Sequence, residues 1–301
     1  MRARELRADG LLLLTALIWG VAFVAQRVGM DHVGPMTFNG VRFALGALVL
    51  APFALRRPTS GNPSGMSTKA ALLGGLLAGL ALFAGASFQQ VGIMYTTAGN
   101  AGFITGLYVV FVPILGLLWK QRPTLGVWIG ALLAAMGLYL LSITDGFTMS
   151  AGDLLVLVCA FCFAGHVLVI GWLAPKIPVL RLSVLQYACC AVFSFIAAAF
   201  TEEIRLADIA EAAIPILYGG LMSVGVAYTL QVVAQKDAPP AHASILLSLE
   251  GAFAALAGGL LLGETMTTRG ITGCGLMLAG MLLAQLWPEQ ARKPAEASAS
   301  V

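Results

Sequence analysis

An odd number of membrane crossings, written twice, constrains this chain more than any other feature. Ten long apolar segments run from about Gly10 to Trp287, and the second five resemble the first five. Each is close to the roughly 20 apolar residues that a bilayer core requires of a helix. A five-helix unit ends on the opposite side from where it began. A second copy must therefore enter the membrane from the other face, inverted relative to the first. Inverted repeats place a binding site at the repeat interface, near mid-bilayer. The sequence thus predicts an all-α integral membrane protein of ten transmembrane helices arranged as two inverted five-helix repeats.

The predicted spans are 9–29, 35–55, 70–92, 97–118, 124–143, 152–173, 179–200, 212–234, 240–262 and 268–287. They divide the chain into a cytoplasmic N-terminus (1–8), a first repeat (9–146), a second repeat (147–287) and a disordered cytoplasmic tail (288–301). The loops carry turn chemistry: Arg57-Pro58-Thr59-Ser60-Gly61-Asn62-Pro63, Lys120-Gln121-Arg122-Pro123, Asp145-Gly146 and Pro239-Pro240. Arg2, Arg4 and Arg7 before a leucine run imitate a signal peptide, but the run is long enough to span and is read as a retained first helix. With 301 residues, 59% hydrophobic and 10% charged, the chain leaves no length for a soluble domain. Soluble domains carry about a quarter charged residues.

The repeat can be followed at an offset near 143. Ala16-Leu17-Ile18-Trp19-Gly20 matches Ala160-Phe161-Cys162-Phe163-Ala164, and Arg42-Phe43-Ala44 matches Gln186-Tyr187-Ala188. Ser87-Phe88-Gln89 matches Thr229-Leu230-Gln231, while Thr124, Gly130 and Gly137 match Thr267, Gly273 and Gly280. A constant offset across four helix pairs marks an internal repeat.

Charge fixes the expected orientation. Of 17 lysines and arginines, thirteen fall on the side of the termini and the even-numbered loops: Arg2, Arg4, Arg7, Arg56, Arg57, Lys69, Lys120, Arg122, Lys176, Arg181, Lys236, Arg292 and Lys293. The other loops hold Arg205 and Arg269. By the positive-inside rule both termini are cytoplasmic, in a bacterial inner membrane.

GxxxG spacings at Gly75–Gly79, Gly102–Gly106, Gly126–Gly130 and Gly259–Gly263 predict close helix packing. Pro113 predicts a kink in the fourth helix. The fifth and tenth helices carry no charge in their cores and are read as peripheral. The other eight are read as surrounding a central cavity, because embedded polar groups turn away from lipid.

Glu250, eleven residues into the ninth helix, is the strongest chemical signal. An ionised group at the bilayer centre costs about 2.5–3.5 kcal/mol on the insertion scale. That cost requires a neutral carboxyl or a specific partner, so Glu250 is a candidate for proton coupling or substrate binding. The alternative is a structural hydrogen bond across the repeat interface. Its repeat mate is about Leu107. Arg42 offers bidentate recognition of a carboxylate, against snorkelling or a backbone tie. Gln89 and Gln231 are pseudosymmetric neutral amides. Trp19, Asn100, His166, Gln186 and Tyr228 complete the candidate substrate site, with Tyr95, Tyr108 and Tyr187 as weaker tyrosines. Arg27 and Asp31 are read as a local ion pair. Glu264 and the cluster Glu202, Glu203, Asp208 and Glu211 are read as solvated.

No catalytic residue, cofactor or metal is expected. The five cysteines lie in apolar segments, and Cys159–Cys162 has no second pair, so these are read as free thiols. No GxxxxGK[ST] loop or HExxH motif occurs. An enzyme acting on lipids would need clustered acids or histidines at one interface, and the acids at 202–211 lack metal-ligand spacing.

Several motifs together resemble the EamA family of the drug/metabolite transporter superfamily. They are Leu17-Ile18-Trp19-Gly20, Gly40-Val41-Arg42-Phe43 and Tyr95-Thr96-Thr97-Ala98 in the first repeat. In the second they are Ser248-Leu249-Glu250-Gly251-Ala252-Phe253 and Leu262-Gly263-Glu264. The family usually has proline after the helix-nine glutamate, where this chain has Gly251. The resemblance implies ten helices, inverted repeats and transport of small metabolites, often export of amino acids. The sequence reading is therefore an alternating-access secondary transporter of a small-molecule substrate, with protons as a candidate coupling ion and no nucleic-acid partner. Import of a small metabolite is the alternative, and a channel a further one. Monomer and homodimer stay open.

Overall fold

The computed structural model describes residues 2–56, 65–142, 150–263 and 268–287. The readings on loop 57–63, Asp145-Gly146, Glu264, Thr267 and the tail lie outside the described residues. The chain runs as α1 (Arg2–Gly29), α2 (Pro35–Arg56), α3 (Thr68–Gly92), α4 (Ala98–Gly106), α5 (Tyr108–Leu118), α6 (Leu125–Ser142), α7 (Ala151–Leu173) and α8 (Val179–Thr201). There follow α9 (Leu206–Glu211), α10 (Ala213–Leu217), a π-helical turn (Tyr218–Tyr228), α11 (Thr229–Ala234), α12 (Pro240–Leu247), α13 (Glu250–Leu262) and α14 (Thr268–Leu286). Eight of the resulting helical spans are long and apolar enough to cross a membrane, and two shorter apolar helices lie within α6 and α14. The protein is thus an all-helical, multi-pass membrane protein. Large apolar side chains such as Leu260 and Phe200, both 86% exposed, suit the lipid that would surround it.

Helix starts follow local chemistry. Ser67 and Thr97 accept from the backbone N–H three residues on, and Ser150 with Asp153 closes a reciprocal capping box. Pro35 and Pro240 occupy first helical positions, where the missing N–H costs nothing. The start of α2 is capped from another helix. Glu202, at the end of α8, accepts from the N–H of Met36 (2.7 Å) and Thr37 (2.8 Å) and from the Thr37 hydroxyl (2.7 Å). That corrects the reading of Glu202 as solvated, because exposed backbone donors at a helix start attract a carboxylate. Arg27 and Asp31 form the expected pair at 3.5 Å.

Two spans are interrupted at matching places. At Leu107, between α4 and α5, the N–H of Leu107 reaches Ile104 O and that of Val110 reaches Leu107 O, three residues back. Between α12 and α13 the N–H groups of Leu249 and Gly251 likewise bond three residues back, to Leu246 and Ser248. Such tightened turns re-aim the helix. The first lies six residues before Pro113, and α5 continues through that proline. The second precedes Glu250 and exists without a proline.

Small residues set the packing. A Cβ on Gly20 would overlap Phe253, so α1 crosses α13 at backbone distance. Gly75 and Gly79 admit Leu185 and Cys189 of α8. The antiparallel pair α6 and α14 meets through glycines. A Cβ on Gly130 would lie 2.7 Å from Gly280 O, and Gly137 faces Gly273 as closely. This pair sits at the edge of the molecule. Around the centre, α3 packs on α7 and α8, α2 on α8 and the π turn, and α1 on α13, the π turn and α11.

Candidate functional site

A buried cavity lies where α1, α2, α3, α4, α5, α7, the π turn, α11, α12 and α13 converge. Its free volume is about 30 Å³, counted as space for the centre of a water molecule. That holds roughly two waters and no organic solute, so the described conformation is contracted around the site. Of the predicted residues, Trp19, Arg42, Gln89, His166, Tyr228, Gln231 and Glu250 line it. Helices α6 and α14 stay outside. So does α8, which corrects the reading that eight helices contribute.

Two predicted residues lie elsewhere. Asn100 is in the first turn of α4, where its N–H donates to Thr97. It lines an open vestibule of about 710 Å³ with Asp31, Tyr95 and Asp153. A residue three positions into a spanning helix sits at the membrane face, not at mid-bilayer. Gln186 on α8 stands behind the wall, its Oε1 2.8 Å from His166 Nε2.

Most polar side chains of the cavity are held from behind. Arg42 is 2% exposed. Its Nε donates to Asn39 Oδ1 (3.0 Å), and Asn39 Nδ2 donates to the Ala86 carbonyl (3.0 Å). The guanidinium carbon lies 4.9 Å from the Phe43 ring centroid and 5.5 Å from that of Phe38, within cation–π range. Gln89 donates to Thr105 (3.2 Å). Gln231 Nε2 donates to Gln235 Oε1 (3.0 Å), and Gln235 Nε2 donates to the Val167 carbonyl (2.9 Å). Trp19 Nε1 donates to Ser223 O (3.3 Å), and its ring lies 4.5 Å from that of Tyr228. Tyr228 also meets His166 edge-on at 6.0 Å.

Glu250 differs from these. It is the first residue of α13, is 3% exposed, and its Oε1 has no hydrogen-bond partner. The neighbouring Tyr108 hydroxyl interacts with the carboxyl, without completing a hydrogen bond of normal geometry. The ion pairs among the described residues are Arg27–Asp31, His32–Glu211, Arg205–Glu203 and His242–Asp9, so Arg42 and Glu250 are not paired. One cavity therefore holds a buried guanidinium and a buried carboxyl, apart from each other. A lost partner for a buried polar group costs about 1–3 kcal/mol, more for a charge.

Sequence reasoning missed Gln26, Thr105 and Ser223 as lining residues and ranked Tyr108 low. Gln26 was legible: it is two helical turns from Trp19, on the same face as Phe23. Thr105 and Ser223 gave no signal, being small hydroxyls in apolar runs.

The model of the EamA-like transporter family matches the chain twice, over residues 6–143 and 150–286. An uncharacterized transporter of Archaeoglobus fulgidus is 34% identical over 287 residues, covering 94% of this chain and 87% of its own. The uncharacterized transporter YwfM of Bacillus subtilis is 27% identical, covering 95% of this chain and 96% of its own. A protein of known crystal structure superposes with a TM-score of 0.73 over 93% of this chain and 96% of its own, at 18% identity, which speaks for the fold alone. With a cavity of held polar groups inside a multi-pass bundle, and two copies of one family pattern along its length, the chain belongs to the EamA-like transporter family.

Proposed function

We propose that this protein is an alternating-access secondary transporter that exports amino acids or related small metabolites across the bacterial inner membrane. The observation that carries the reading is that Arg42 and Glu250 are both buried, face one cavity and form no ion pair among the described residues. A zwitterion satisfies both, its carboxylate at Arg42 and its amine toward Glu250, without a net charge entering the hydrocarbon. The contracted cavity supports a carrier over a channel, since an open pore would be hydrated throughout.

The architecture we infer is ten helices in two inverted repeats. The double family match supports it. So does the α6–α14 contact, where Gly130 meets Gly280 and Gly137 meets Gly273. Each glycine faces the repeat mate of the other, as a two-fold axis between antiparallel helices requires. The turns before Tyr108 and Glu250 support it in the same way. The distribution of lysine and arginine supports cytoplasmic termini.

Counterflow in proteoliposomes tests the reading, with purified protein screened against labelled amino acids, amines and organic anions. The expected result is saturable exchange of a zwitterionic amino acid. Conductance without saturation would favour a channel, and exchange confined to organic anions would remove the role given to Glu250. If Glu250 also carries the coupling proton, Glu250→Gln stops pH-gradient-driven uptake into inverted vesicles while counterflow survives. Unchanged gradient-driven uptake in that variant contradicts coupling.

A further inference from the structure

We infer that Gln26, Gln231 and Glu250 form a three-acceptor subsite for a primary ammonium group. This deepens the transport reading by naming the end of the solute that the subsite reads, and it adds Gln26 to the binding residues. Gln26, Gln231 and Glu250 are 3%, 1% and 3% exposed, and each lines the central cavity. In each the Oε1 atom lacks a hydrogen-bond partner.

Their roles as acceptors follow from the network, not from an arbitrary choice of amide orientation. A backbone carbonyl can only accept. Gln235 must turn its Nε2 to the Val167 carbonyl, which leaves Gln235 Oε1 to receive Gln231 Nε2. Gln231 Oε1 is thereby fixed as the acceptor of that amide, and it is the atom left with no partner. Gln26 is fixed in the same way, because its Nε2 donates to the Ala22 carbonyl one turn back (3.2 Å). Rotating either amide would set two acceptors against each other.

Three acceptors match the three N–H bonds of a primary ammonium, and charge-assisted bonds of this kind are about twice as strong as neutral ones. Arg42 lines the same cavity but makes no hydrogen bond to any of the three Oε1 atoms; its bond is to Asn39. Methylation of the nitrogen removes donors one at a time while the charge stays.

The test uses that series. The thermal unfolding midpoint of the purified protein in detergent is measured with methyl-, dimethyl-, trimethyl- and tetramethylammonium chloride, and with sodium chloride, at one ionic strength. The midpoint is expected to rise most with methylammonium, to fall stepwise with each methyl, and to match sodium chloride for tetramethylammonium. Gln26→Met and Gln231→Met should each raise the half-maximal methylammonium concentration about tenfold, the loss of one hydrogen bond to a charged group. Ser194→Ala, which alters a buried hydroxyl outside the cavity, should leave the series unchanged. If a methionine variant does not fold, the near-isosteric Glu250→Gln carries the same expectation. A flat series, an equal response to tetramethylammonium, or a larger response to sodium overturns the assignment. Two bound waters would account for the first of these outcomes, and a metal cation for the last. Exchange activity is measured on the same preparation. A flat series with intact counterflow removes the subsite alone, and an ammonium response without exchange removes the transport reading alone.

Discussion

Arg42 shows how much a single residue can be constrained in an apolar interior. One N–H of its guanidinium is taken by Asn39, and the guanidinium carbon lies over the Phe38 and Phe43 rings. Its other donors are free for a solute. Lysine has neither the fork nor the flat face. Arg42→Met is therefore expected to lower exchange at least about tenfold, and Arg42→Lys to recover little of it. Asn39→Leu should act more mildly, raising the substrate concentration for half-maximal exchange and leaving the saturated rate near wild type. Exchange measured against substrate concentration separates the two, and full activity in Arg42→Lys would contradict bidentate recognition. Arg42, Gln89, Gln231 and Glu250 were legible from sequence because each breaks an apolar run, and the price of burying such groups forces them inward. The partners behind them were not. Asn39, Thr105 and Gln235 become visible only when helices distant in sequence meet. Asn100 and Gln186 show the opposite error, since polarity alone does not tell a cavity wall from a helix mouth or a second layer.

At the scale of elements, packing depends on what is absent from side chains. Lipid is as apolar as leucine, so helices associate through close backbone approach rather than apolar burial. Gly130→Leu or Gly137→Leu forces α6 away from the Gly280 and Gly273 carbonyls. Each should destabilise the protein by about 1–3 kcal/mol, read as a lower unfolding midpoint, with the apparent substrate affinity unchanged. An unaltered midpoint contradicts the contact. Glu202→Ala removes the cap on α2 and should cost about 1 kcal/mol. Apart from the start of α1, which lies at Arg2 and not at residue 9, helix ends were legible to within a residue or two, because spans of bilayer length are bounded by Gly, Pro, Ser and Thr. The turns at Leu107 and Leu249 and the π-helical turn at Tyr218–Tyr228 were not. Pro113 lies within α5, and the interruption of that span falls six residues before it. A helix interruption follows from where neighbouring helices press, which local sequence does not encode. The short α9 was missed for the related reason that it is too brief to show a period.

For the whole molecule, the 143-residue offset and the double family match divide the sequence into halves, and the proposed alternating access gives those halves a motion. The site is contracted to about 30 Å³, so a carrier must open it to each side in turn. An Asp9–His242 contact at 2.8 Å joins α1 to α12 on the face that carries the N-terminus, and Glu202 joins α8 to α2 at its opposite end. Both are contacts between the halves that rocking would strain or release. The most direct measurement is two-sided labelling of one cavity residue. Ser223→Cys, made in a protein otherwise free of cysteine, would be exposed to a membrane-impermeant thiol reagent in right-side-out and in inverted vesicles. Labelling from both sides, with transported substrate slowing both, is the predicted result. Labelling from one side only, or from neither, would contradict alternating access to this cavity.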